Sequence, residues 1–555
     1  MFPLLRLPIV APGLRDDSAS EAELPQRDAR RTLLRNGVAN GIRTITTGLL
    51  GVLLPIALAV IFNNANYAAW ALVFGLATYV SFFDLGVPTS VQTLVAQHNA
   101  HGDAARSRAT TWGGIRVTLY VSAAFLLAGI GAAFLFRRIA PDMPTALVGD
   151  ASIALVILVA GQGARLVALA VSAYFAGLQR NLLITIISAP AQLLSAIAAT
   201  ILAIATGSLV LAALGFTIPL VLGTAVLMVA FATRTRVTDR ATTTHRPWSL
   251  AAEREVLSYS GPIMLWSVCQ FVVYGSGSLL VGHFAYGDVG GYSLAAVAST
   301  AITGVVSSLA APLLPEMAGR HASGNAGLAR IIVLATRVQS SLLYTVGGLV
   351  NCAMPLYFFI TLGDSPVGTA WLSLLMLSAG AIVHGSATPL TYAFIATGRH
   401  SRLVLPPVAQ AATTLIISVA LVGTWGAVGV TLGVLVGAVL GTTLAATWSV
   451  RLSGMAAPSS RSLLQWTMWS PFVGYGATAA AAVFVWQLGL ASSLLGISLA
   501  VAAAAANVAW QWLVVIPAAE RTRIVHRLRR IVRPDKGISD GASVGWDEEA
   551  EKDTV

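Results

Sequence analysis

Apolar runs of about 20 residues, the helix length that crosses a hydrocarbon core about 30 Å thick, recur almost without interruption from Gly37 to Ile516. Short polar turns separate them. The pattern predicts fourteen membrane-spanning helices, over 37–61, 67–91, 112–136, 151–176, 182–206, 209–232, 257–282, 290–314, 331–359, 370–395, 403–423, 426–449, 467–488 and 492–516. The expected fold class is all-α: a polytopic membrane protein with little chain left for a soluble domain.

Polar positions repeat as well as apolar ones, and self-similarity at a fixed offset is tested before any single motif. AQHNAHGD at 96–103 falls on AGRHASGN at 318–325, an offset of 222. Arg116 falls on Arg337 at 221, and GLQR at 177–180 on ATGR at 396–399 at 219. The last offset also sets Arg165 on His384. These matches predict two equivalent six-helix bundles, over 36–233 and 257–450, joined by a linker at 234–256 and followed by two added helices within 451–516. Six spans return the chain to its starting side, so the bundles share an orientation and a pseudo-twofold axis along the membrane normal; transporters built this way bind substrate between the halves. Residues 1–35 read as a flexible tail. Within 517–555, arginines surround one apolar helical face at 524–532, a pattern suited to anionic lipid headgroups.

Composition agrees. The chain is 56% hydrophobic and 10% charged, where soluble domains carry about a quarter charged residues. Of its 34 basic residues, nearly all arginine, fourteen lie in one alternate set of connections and two, Arg137 and Arg138, in the other. That asymmetry sets topology rather than nucleic-acid binding, and it predicts that both termini are cytoplasmic. The two cysteines, Cys269 and Cys352, lie inside apolar runs and read as packing residues, so neither a disulfide framework nor a metal site is expected.

Charges inside the spans are the candidates for function. Arg165 lies deep in the fourth predicted span, where a cation costs about 2.5–3.5 kcal/mol on insertion scales and so should face water or a partner. His384 occupies the matching depth in the tenth. Arg116, Arg337 and Arg43 lie nearer the basic loops, where snorkelling and cavity lining both fit. Acids are scarcer, which gives a central cavity positive potential suited to a phosphate or pyrophosphate, the geometry that the arginine fork matches. Asp84, in the second span, reads as an ion pair with Arg43, at similar depth, in preference to an ion or proton site. Gln162, Gln192, Gln270, Gln410 and Asn351 can hydrogen-bond across helices or line the cavity. No glycine-rich phosphate loop, HExxH or Cys/His cluster is present, so catalysis is not expected.

Several short pieces occur in order and at matching spacing: Asn36 before the first span, NYAAWAL at 66–72, FDLGVPTS at 83–90, GLQR at 177–180, VGGYSLA at 289–295, PLLPEMA at 312–318, ATGR at 396–399 and WGAVGV at 425–430. In these the chain resembles the oligosaccharide flippases of the polysaccharide transporter family, in the multidrug/oligosaccharidyl-lipid/polysaccharide superfamily. The resemblance implies that an undecaprenyl-pyrophosphate-linked oligosaccharide repeat unit is moved across the cytoplasmic (inner) membrane by alternating access, for cell-surface polysaccharide. It implies no cofactor, a coupling ion that is either H+ or Na+ or absent, and other polysaccharide-assembly proteins as partners. One departure is visible: many relatives carry an Asp-Arg pair in the seventh span where this chain has Gly277 and Ser278, before LLVG at 279–282. Two alternatives remain, a flippase for the lipid-linked peptidoglycan precursor and, from another class, a membrane-embedded glycan polymerase or ligase.

Overall fold

A computed structural model describes residues 46, 50, 51, 53–239, 250–310, 317, 328–362, 367–396, 404–452, 469–487, 493–518 and 520–522. The expected tail at 1–35, and nearly all of that at 517–555, lie outside these residues. Among the described residues, ten helices are long and apolar enough to cross a membrane. Residues 53–61 are helical and belong to the first predicted span. There follow α1 (Asn64–Phe82), α2 (Val87–Ala100), α3 (Ala104–Phe134), α4 (Thr145–Gly177), α5 (Asn181–Thr206) and α6 (Leu209–Asp239). The next span is α7 (Leu250–Gln270), a π turn (Phe271–Gly275) and α8 (Ser276–Phe284) in sequence. After it come α9 (Val289–Ala310), α10 (Leu328–Leu362), α11 (Val367–Ser386), α12 (Thr388–Ala396), α13 (Leu405–Leu452), α14 (Ser470–Gln487) and α15 (Leu494–Trp510).

Helices α1 to α6 pack chiefly on one another, with α4 at their centre, and α9, α10, α11 and α13 form a second group. The seventh span bridges the groups: α7 lies on α2, α3 and α13, while α8 lies on α1 and α13. The last pair docks on α10. Asn507 donates to the Tyr344 carbonyl at 3.0 Å, and Tyr475 from α14 closes a buried network with Asn351 (2.7 Å) and Ser378 (2.8 Å). Asn351 thus serves as one of the expected helix-crossing amides.

The second predicted span, expected as one helix over 67–91, is broken. Leu85 and Gly86 take left-handed backbone angles, φ 54° and 68°, and Pro88 opens the helix that follows, where a missing N–H is harmless. The matching positions in the second half, Val306 and Ser307, lie inside the unbroken α9. The eleventh and twelfth predicted spans form the single element α13 of 48 residues, which straight would reach about 72 Å. It reverses at Gly426, with φ 55° and ψ −135°. The returning arm sets Gly429, Gly433, Gly437 and Gly441 against Leu421, Ser418, Thr414 and Gln410, a small-residue seam that lets the two backbones approach. Helices also outrun their apolar cores. Arg108, expected in a loop, is buried on α3 and donates to the Thr235 carbonyl at 2.9 Å. Most of the expected linker at 234–256 is likewise helical, leaving 240–249 outside the described residues.

Candidate functional site

Arg165 is carried by α4, twelve residues before its end at Gly177, about 18 Å along the axis. Small residues fix the helix on either side of it. A Cβ at Gly161 would meet the Thr217 hydroxyl of α6 at 2.8 Å, and Ser122 of α3 donates to the Gly163 carbonyl at 3.0 Å. One turn before Arg165, the buried Gln162 accepts a hydrogen bond from Ser81 of α1 at 3.3 Å. Arg165 itself is half-buried and makes no ion pair or hydrogen bond among the described residues. A guanidinium held at that depth, its donors unpaired among the described residues, is a ready site for an oxyanion.

His384 sits near the end of α11, where the chain breaks at Ala387 before the Thr388-Pro389 start of α12. Its carbonyl accepts the Ala387 N–H at 3.1 Å. The Gln270 Nε2 lies 3.3 Å from the His384 Nε2; an amide nitrogen can only donate, so the ring nitrogen accepts. Gln410 of α13 hydrogen-bonds the same ring, while its own Nε2 has no partner among the described residues. Trp266 and Tyr274 flank the ring at centroid distances of 6.2 and 6.1 Å. Arg165 and His384 are therefore not brought into contact: α4 and α11 do not pack together, and the bridging span lies on His384's side.

Asp84 occupies the break between α1 and α2. Its Oδ1 accepts the Gly86 N–H at 2.9 Å, its carbonyl accepts the Val87 N–H at 2.9 Å, and the Ser267 hydroxyl of α7 donates to it. The carboxylate thus stabilises a helix break and ties it to the bridging span. Arg43, its expected partner and a proposed cavity residue, lies outside the described residues.

The two remaining expected cavity arginines have acids of their own. Arg116 Nε lies 2.8 Å from Glu253 Oε1, with side chains 12% and 14% exposed. Arg337 of α10 faces Glu520, beyond α15. Arg116 is engaged in charge pairing, a third outcome beside snorkelling and cavity lining. Glu253 belongs to a cluster at the basic end of α7: Glu255 lies 3.0 Å from Arg106 and 3.6 Å from His98, and Ser260 shares a buried 2.8 Å hydrogen bond with Ser90 of α2. The sequence alone places these acids in the expected linker at 234–256. The signal was AAERE at 251–255, two acids in the first turns of an apolar helix.

This architecture defines a multi-pass membrane protein with the fold of the MOP superfamily transporters. The chain is similar to the lipid II flippase MurJ in an inward closed conformation, at TM-score 0.59 and 11% identity over 89% of this chain and 100% of that one. It is also similar to an inward-facing multidrug resistance MATE family transporter, at TM-score 0.56 and 14% identity over 76% and 100%. A third similar structure is a MOP superfamily transporter from Pyrococcus furiosus, at TM-score 0.53 and 14% identity over 77% and 96%. No curated protein sequence matches the chain. The family model for polysaccharide biosynthesis proteins matches residues 33–319, just over half of the 555 residues, and the chain belongs to that family.

Proposed function

We propose that the protein is a flippase that carries an undecaprenyl-pyrophosphate-linked oligosaccharide repeat unit across the inner membrane, with both termini cytoplasmic. The supporting observation is Arg165, a deep cation with no counter-ion among the described residues, whereas Arg116 and Arg337 face acids. A pyrophosphate supplies the missing charge, and the arginine fork binds it through parallel hydrogen bonds. Transport needs no covalent step, only a site exposed alternately to each face. Membership of the polysaccharide biosynthesis family favours a surface-polysaccharide unit over the peptidoglycan precursor. The test is export in cells: Arg165→Ala abolishes appearance of the surface glycan at unchanged protein level. Normal export by that variant contradicts the proposal.

A further inference from the structure

Around His384 the side chains change character from charged to aromatic and amide. Trp266, Gln270 and Tyr274 all come from the bridging span and all lie beside one imidazole. Regular α-helix already sets positions i, i+4 and i+8 within one face about 100° wide. Eight residues at about 100° each leave Tyr274 about 80° away from Trp266. The π turn at Phe271–Gly275 adds a wider loop of backbone, and such turns are frequent at functional sites. Here it narrows the angle between Trp266 and Tyr274.

Trp266, Tyr274 and His384 are only half-buried, although they lie within membrane-spanning helices. Gln410 is fully buried beside them and hydrogen-bonds the imidazole. A bare pyrophosphate does not account for this set, which offers ring faces and neutral donors and no cationic fork. An uncharged pyranose does: its C–H faces stack on aromatic rings, and its equatorial hydroxyls pair with amide and imidazole groups.

We propose that Trp266, Tyr274, Gln270 and His384, its imidazole held by Gln410, form a sugar subsite that binds an uncharged pyranose of the glycan headgroup, separate from the pyrophosphate arm at Arg165. The subsite rests on the flippase reading and adds where, and by what chemistry, the glycan is held. Its test is binding to the full-length protein in nanodiscs with two probes, undecaprenyl pyrophosphate and the same lipid carrying an uncharged disaccharide. Wild type prefers the glycosylated lipid by about tenfold, or about 1.4 kcal/mol. Trp266→Ala and Tyr274→Ala lose most of that preference and keep the affinity for the bare lipid within about twofold. Gln270→Ala behaves likewise should an aromatic variant fail to fold, and Trp266→Phe, which retains a ring face, keeps the preference. Arg165→Ala weakens both probes equally. Equal wild-type affinity for the two lipids, or equal weakening of both by Trp266→Ala, overturns the subsite and leaves the flippase reading standing. Binding of neither lipid by wild type overturns both.

Discussion

Arg116 and Arg165 lie on neighbouring helices of the first six spans and have opposite fates. Arg116 meets Glu253 at 2.8 Å in a largely buried pair, and removing one partner of such a pair strands a charge at a cost of about 3–5 kcal/mol. Glu253→Gln should therefore lower the thermal stability of the purified protein markedly. Adding Arg116→Gln should recover part of the loss, because the stranded cation is gone. A double variant no better than Glu253→Gln in a melting experiment shows that the two charges are not coupled. That Arg116, Arg165 and Arg337 lie inside helices was legible in the sequence, since an arginine inside an apolar run stands out. Their partners were not: Glu253 and Glu520 come from distant segments, and chain distance carries no information about which acid reaches which arginine. Asp84 shows the same limit. Its Gly86 contact is local and is written in DLG, whereas its Ser267 contact comes from another span.

At the scale of the element, apolar run length gave the spans, but the irregularities inside them were only partly legible. The break after Phe82 is encoded by Gly86 and Pro88, and the break after His384 by Thr388 and Pro389. The π turn at Phe271–Gly275 has no such punctuation; packing fixes it, with Phe271 set 4.9 Å from Tyr79 and 5.2 Å from Phe83 of the first group. The α13 hairpin is legible in hindsight as glycine every fourth residue. Its seam is tight: a Cβ at Gly437 would approach the Gln410 carbonyl to 2.8 Å, and one at Gly433 the Thr414 carbonyl to 2.8 Å. Backbone atoms cannot rotate away, so the arms must part. Gly437→Ala should destabilise the protein by about 1–3 kcal/mol, read as a lowered melting temperature and reduced monodisperse yield, whereas Gly423→Ala, with open space around it, should be neutral. Equal effects of the two substitutions would show that the seam is not closely packed.

For the whole molecule, the seventh span holds the two helix groups together at several levels. Its basic end is tied to α2 and α3 by the Glu253 and Glu255 pairs and by the Ser90 to Ser260 hydrogen bond. At the far end of the span, His283 donates to the Arg138 carbonyl at 3.1 Å. Alternating access requires that contacts of this kind at one face open while those at the other persist. The most direct measurement is lipid-linked oligosaccharide flipping in proteoliposomes by a Ser90→Cys/Ser260→Cys variant in which Cys269 and Cys352 are replaced by alanine. Oxidation should join the two positions, whose hydroxyl oxygens lie 2.8 Å apart, and should stop flipping; a reductant should restore it. Flipping at the reduced rate by fully cross-linked protein would show that the two helix groups need not separate there, and would contradict transport by alternating access through this interface.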